Sequence, residues 1–248
     1  MNATFALADP AVLALVALGG FLGGMATGAA GFAYGVVATS IWLHAISPVQ
    51  AAFLVVSAGL INQAALNWPL RRSINIGRLA PFLIGGLIGI PLGVALVVQS
   101  SPGNITKALA VFMVAYGVYA LVAPRLPVIV WGGRAADAVV GFLGGVLGGL
   151  GGLSGILPAI WTQLRGWPKD VARAVYQPFI LAAHVVTLLL IGTVAIDREG
   201  LVLFAVALPA VLLSSWFGWT IYGKLDERRF QQLLAALLVM SGLLLLLI

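Results

Sequence analysis

The sequence predicts an all-α polytopic membrane protein made of two inverted repeats, each a Gly-rich helical hairpin plus three transmembrane helices. Three observations carry that prediction. First, 62% of the 248 residues are hydrophobic and only 8% are charged, with a mean hydropathy of +1.12. Apolar runs of about 18 or more residues recur from end to end, long enough to cross a bilayer as helices. They lack the strict alternation of a membrane β-barrel. Second, one glycine-rich stretch occurs twice, as GGFLGGMATGAAGFAYG from Gly19 to Gly35 and as GFLGGVLGGLGGLSG from Gly141 to Gly155. Third, the basic residues fall unequally on the two sides that such a fold creates.

The elements follow in order. Asp9 and Pro10 start the first helix as a cap and a first-turn proline. This N-terminus lacks a basic n-region, so the first apolar run reads as retained rather than as a cleaved signal. The run from Ala11 to Leu43 is too long for one straight span and short for two full ones. It reads as a hairpin of helices at 11–27 and 31–43, closed by the segment from His44 to Pro48. Spans follow at 49–67, 79–98 and 105–122. They are separated by a basic loop with Arg71, Arg72 and Arg78 and by the turn QSSPGN. After the segment from Ala123 to Asp137, the second-half spans fall at 137–151, 153–164, 170–190, 201–220 and 230–247.

The two halves align at an offset of 121 residues without a gap: Gly20-Phe21-Leu22-Gly23-Gly24 matches Gly141-Phe142-Leu143-Gly144-Gly145. If each glycine stretch enters and leaves on one side, each half makes three further crossings and the second half is inverted. Arg71, Arg72, Arg78, Arg125, Arg134, Arg165, Lys169, Arg173, Lys224, Arg228 and Arg229 then share one side. Only Lys107 and Arg198 lie opposite. Eleven of the 13 basic residues on one side is a strong positive-inside bias, and it disappears if each glycine-rich run is a single crossing. The division is therefore residues 1–122 as the first repeat with an outside N-terminus, 123–136 as a cytoplasmic connection, and 137–248 as the inverted second repeat with an outside C-terminus.

Several classes are unsupported. The chain has no cysteine, which excludes disulfides, thiolate metal sites and cysteine nucleophiles. It has no P-loop, no HExxH and no Ser/His/Asp set, so no enzyme, metal or cofactor is predicted. The net charge of +6 reads as orientation rather than as an attraction to nucleic acid.

The candidate site lies at the glycine breaks. A helix beginning near Gly31 or Gly152 would present free N–H groups and a positive dipole end, which suit an anion. Gly28, Gly31, Gly149 and Gly152 are the candidate backbone donors, with Tyr34 and Ser154 beside them. The same glycines would also permit close helix packing. The third segment of each half adds Gln63, Gln177 and His184, and Gln63 corresponds to His184 at the repeat offset. Such buried polar groups mark a pathway or bond neighbouring helices. His184 is the only titratable side chain expected in the hydrocarbon core. Any proton coupling would therefore fall to it; the alternative is a neutral histidine bonded to a neighbour. Arg165, Lys169 and Arg173 read as topology signals that also attract anions to the inner mouth.

The repeated stretch, followed by ISPVQAA in the first half and by GILPAI and GWPKDVARA in the second, resembles the sulfite exporter TauE/SafE family of bacterial membrane proteins over nearly the whole chain. The resemblance implies a multi-pass protein of the bacterial inner membrane that moves a small anionic substrate: a sulfonate, sulfite or a small carboxylate. The first copy departs from the family's usual glycine-richer, proline-following pattern in carrying Ala29, Ala30 and Ala33, and Pro158 is present only in the second copy. The expected function is a secondary transporter working by alternating access in the lipid bilayer. A passive anion channel and a substrate-free membrane scaffold are the alternatives.

Overall fold

A computed structural model describes residues 9–99, 103–123, 126–195 and 198–247. Arg125, Asp197 and positions 100–102 of the predicted turn lie outside them. The described residues form ten helices: α1 (Pro10–Ala30), α2 (Tyr34–Trp42), α3 (Pro48–Leu70), α4 (Ile76–Gln99), α5 (Gly103–Val122), α6 (Gly133–Gly151), α7 (Ile156–Leu164), α8 (Lys169–Ala195), α9 (Arg198–Lys224) and α10 (Glu227–Leu246). Among the described residues, seven of these are long and apolar enough to cross a membrane: α1, α3, α4, α6, α8, α9 and α10. α5 contributes a shorter apolar stretch, Lys107–Val122.

Local chemistry sets most helix starts. Asp9 caps α1 by accepting from the Ala11 amide at 2.8 Å, with Pro10 behind it. Ser47 and Gln50 form a reciprocal capping box at the start of α3. Asp226 caps α10 through the Arg229 amide. Interior prolines in α3, α4, α8 and α9 are carried without ending the helix. Neighbouring helices in a membrane bundle supply what the missing donor removes.

Both glycine-rich stretches are hairpins. α2 folds back along α1, and the Trp42 indole N–H donates to the Val16 carbonyl at 2.9 Å. α7 folds back along α6, and the Trp161 indole donates to Asp137 at 2.7 Å. Each short return helix is thus stapled to the first turns of its partner, so each hairpin opens where it was entered. The breaks differ from the sequence expectation. α1 continues to Ala30, not 27, and α7 begins at Ile156, not 153. The reason is that Gly31 and Gly152 adopt left-handed backbone, with φ of 85° and 78°, and so end the preceding helix instead of opening the next.

Glycine ridges set how closely the long helices approach. Gly20, Gly24 and Gly28 lie on one face of α1 against the backbone of α9 at Ala207, Val211 and Ser215. Their counterparts Gly141, Gly145 and Gly149 lie on one face of α6 against α4 at Phe82, Gly86 and Ile90. A Cβ at most of these positions would collide with a facing carbonyl. This is small-residue packing, which lets helix backbones meet where lipid offers no hydrophobic drive. The pairing has a pattern: α1 packs on α9 and α6 on α4, while α3 packs on α8 and α5 on α10. The first helix of each half therefore lies on the fourth helix of the other half.

Candidate functional site

The two hairpin ends meet inside the bundle. Around the first, α1 stops at Gly31, Ala33 takes a left-handed φ of 74°, and α2 starts at Tyr34 with no side chain capping it. Ala33 is the one non-glycine residue with positive φ among those described. Such backbone strain persists only where its surroundings impose it. Around the second, α6 stops at Gly152 and α7 starts at Ile156, again with no side-chain cap. Between them lies a cavity of about 20 Å3, walled by Ala33 and Tyr34, by Gly152 and Gly155, and by Gln63 of α3 and His184 of α8. That is room for about one water molecule.

The walls are polar in an unusual way. The Tyr34 hydroxyl is buried with no hydrogen-bond partner. The His184 ring packs against the Gly59 backbone, and neither ring nitrogen has a partner at ordinary hydrogen-bond geometry. Two uncapped helix N-termini lie at the same chamber, and their dipoles favour negative charge. Buried polar groups are normally paired, so unpaired ones around a chamber need an explanation.

Below the first break the groups are fully engaged. Gln63 Nε2 donates to the Gly31 carbonyl at 3.1 Å. Gln177 Nε2 donates to Gln63 Oε1 at 3.2 Å, and Arg173 Nε donates to Gln177 Oε1 at 2.8 Å. The rest of the Arg173 guanidinium donates to the carbonyls of Thr27, Gly28 and Ala29 at 2.6–3.3 Å. The Tyr176 hydroxyl donates to that of Ala30 at 2.5 Å. The second break has no such collar. At the repeat offset Arg173, Tyr176 and Gln177 correspond to Ala52, Val55 and Val56, and Val55 packs directly on Gly152. The carbonyl end of α6 is closed only by its own backbone, with Gly152 donating to Gly148 at 2.8 Å and Leu153 to Leu147 at 3.3 Å.

Of the nine residues singled out in the sequence, Tyr34, Gln63, Gly152 and His184 line the chamber. Gly31 adjoins it through Gln63, and Gln177 stands one hydrogen bond behind Gln63. The Gly31 and Gly152 amides are spent inside their helices, on Thr27 at 2.6 Å and on Gly148 at 2.8 Å. The amides opened by the first break belong to Tyr34, Gly35 and Val36 at the start of α2; at the start of α7 the Ile156 amide donates to Leu153 at 3.4 Å and Pro158 has none, which leaves Leu157. Gly28 and Gly149 face helix backbones in the glycine ridges. Ser154 is buried beside Gly148, and its hydroxyl has no partner. Sequence reasoning missed Gly59 and Gly155, and above all the buried place of Arg173, which it read as a topology signal. The signal for Arg173 was its spacing: Arg173, Tyr176 and Gln177 share one helix face at i, i+3 and i+4. Among the described residues no cluster of acidic and histidine side chains could hold a metal.

Span-length apolar helices, interrupted at two points that meet around buried neutral donors, define a multi-pass membrane protein. The profile of the sulfite exporter TauE/SafE family matches residues 16–245, and the chain belongs to that family. The family implies membrane transport of sulfur anions. Nothing matches among curated proteins or solved structures.

Proposed function

We propose that the protein is a secondary transporter that carries sulfite or a small organosulfonate across the bacterial inner membrane by alternating access. The observation that carries this reading is the chamber between the two helix breaks, with the Tyr34 hydroxyl unpaired and His184 and Gln63 at its wall. A sulfur oxyanion accepts several hydrogen bonds, and neutral donors with helix N-termini suit it without a buried arginine in contact. Tyr34, His184, Gln63, the amides at the start of α2 and the Leu157 amide of α7 are the assigned ligands, with Gly31 and Gly152 shaping the breaks. Gly28 and Gly149 contribute by letting the helices pack.

The reciprocal pairing of α1 with α9 and α6 with α4, and the two same-side hairpins, support inverted repeats. In that arrangement residues 1–122 and 137–248 rock against one another around the chamber, with 123–136 on the cytoplasmic side. The small volume favours a carrier over an open channel.

The test is counterflow of labelled sulfite into proteoliposomes preloaded with unlabelled sulfite. Transient accumulation of label is expected. Flux far above carrier turnover without counterflow would make the protein a channel. No flux of sulfite, any sulfonate or any small carboxylate would remove the transport reading.

A further inference from the structure

Arg173 is completely buried, although its place one turn into α8 suits a topology signal. Its guanidinium lies against the rings of Trp219 and Tyr222, at 4.7 and 4.1 Å from their centroids. Asp170, one turn earlier on α8, accepts from the Tyr222 hydroxyl, and no carboxylate forms an ion pair with Arg173 among the described residues. What faces the cation instead is the carbonyl end of α1.

That end is an electrostatic problem for an anion site. α1 terminates beside the chamber with its last carbonyls directed out of the helix, and these carry the negative end of the helix dipole. Five consecutive carbonyls, Thr27 to Gly31, are each engaged by a side chain from α3 or α8: Arg173 takes three, Tyr176 one and Gln63 one. Arg173 is the only charged member of this collar. It reaches the chamber wall through Gln177 and Gln63. The second break has apolar residues at the corresponding positions, so its carbonyl end stays uncompensated.

We infer that Arg173 is a positioning residue of the anion site. Its charge cancels the negative end of α1, and its hydrogen bonds hold the first break in its binding conformation. It acts through α1, Gln177 and Gln63 and does not touch the substrate. This rests on the proposed anion site.

The test compares wild type, Arg173→Lys and Arg173→Gln by calorimetric titration with sulfite. In parallel, Ala33→Cys is introduced into each background of this cysteine-free chain, and the rate at which N-ethylmaleimide labels the introduced thiol is followed. Arg173→Lys keeps the charge but only part of the hydrogen bonding, so its sulfite Kd is expected between those of wild type and Arg173→Gln. Arg173→Gln is expected to bind at least about tenfold more weakly, and the introduced thiol should label at least about fivefold faster in it than in the wild-type background. If Arg173→Gln does not purify folded, Arg173→Met supplies the neutral state. Equal Kd values for the charged and neutral variants would overturn the inference. If wild type binds no sulfite, the anion-site reading fails by itself. The positioning of the first break is then decided by labelling alone: faster labelling only in the neutral variant upholds it, and equal rates overturn it.

Discussion

Gln177 of α8 donates to Gln63 of α3 at 3.2 Å, across 114 positions of sequence. This one hydrogen bond joins the third helices of the two halves at the wall of the chamber. Gln63 cannot turn toward a ligand without releasing either Gln177 or the Gly31 carbonyl. Its hydrogen bonds are thus a measure of how the first break is set.

Gln63→Glu tests the sign of the ligand charge with almost no change in shape. A carboxylate here would keep accepting from Gln177 but could not donate to Gly31, and it would repel an anion in the chamber. Sulfite counterflow should fall at least about tenfold at neutral pH. Gln63→Leu should instead lower stability by about 1–3 kcal/mol, because it leaves the Gly31 carbonyl and the Gln177 amide unpaired. Thermal melting followed by tryptophan fluorescence separates the two effects. Equal transport by Gln63→Glu and wild type would remove Gln63 from the anion site.

Ala33 offers a probe of strain. A left-handed backbone costs an L-residue about 1–2 kcal/mol, and glycine escapes that cost while losing more chain entropy. Ala33→Gly should therefore melt no lower than wild type, and Ala33→Val should melt clearly lower, because a branched Cβ is worst there. Matching melting curves for the two variants would show that the break carries no strain at this position.

The glycine ridges predict a sharp contrast between two alanine substitutions. A methyl at Gly85 would overlap the Ala138 carbonyl, whereas nothing lies within 4 Å of a methyl at Gly223. Gly85→Ala should lower stability by about 1–3 kcal/mol, because packed helices must separate. Gly223→Ala should raise it by up to about 1 kcal/mol through helix propensity. Similar melting temperatures would deny that α4 and α6 depend on close approach.

Much of this fold is written locally, and the site is written only in part. The caps at Asp9 and Ser47 are short-range signals, and the ten helices follow from apolar runs that the sequence displays directly. The repeat offset placed Gln63 opposite His184, and both line one chamber. The exact breaks were not legible, because a glycine that closes a helix and one that opens a helix look alike until its φ is known. Arg173 was less legible still. Its carbonyl partners lie 144 to 146 residues away, and a cation near the start of a span has the same local pattern whether it faces lipid headgroups or a buried helix end. Gly28 and Gly149 show the converse: their density suggested a ligand loop, yet they lie in interhelix ridges.

Proton coupling is the last property that the chamber allows to be tested. The described acidic residues lie at helix starts or in caps: Asp9, Asp137, Asp170, Glu199, Asp226 and Glu227. None lines the chamber, and His184 is the one residue there whose side chain ordinarily titrates near neutrality. A coupled carrier must pick up and release its proton at a group that both sides can reach in turn, and the proposed alternating access would give a histidine between two helix breaks that place. His184→Gln keeps a donor and an acceptor but cannot carry a proton. In the variant, exchange of sulfite for sulfite should survive within about threefold of wild type, because exchange needs no net proton movement. Uptake of sulfite against its gradient, driven by an imposed pH difference, should be lost. If pH-driven accumulation persists in His184→Gln, the histidine is a neutral donor to the anion and does not couple transport to protons.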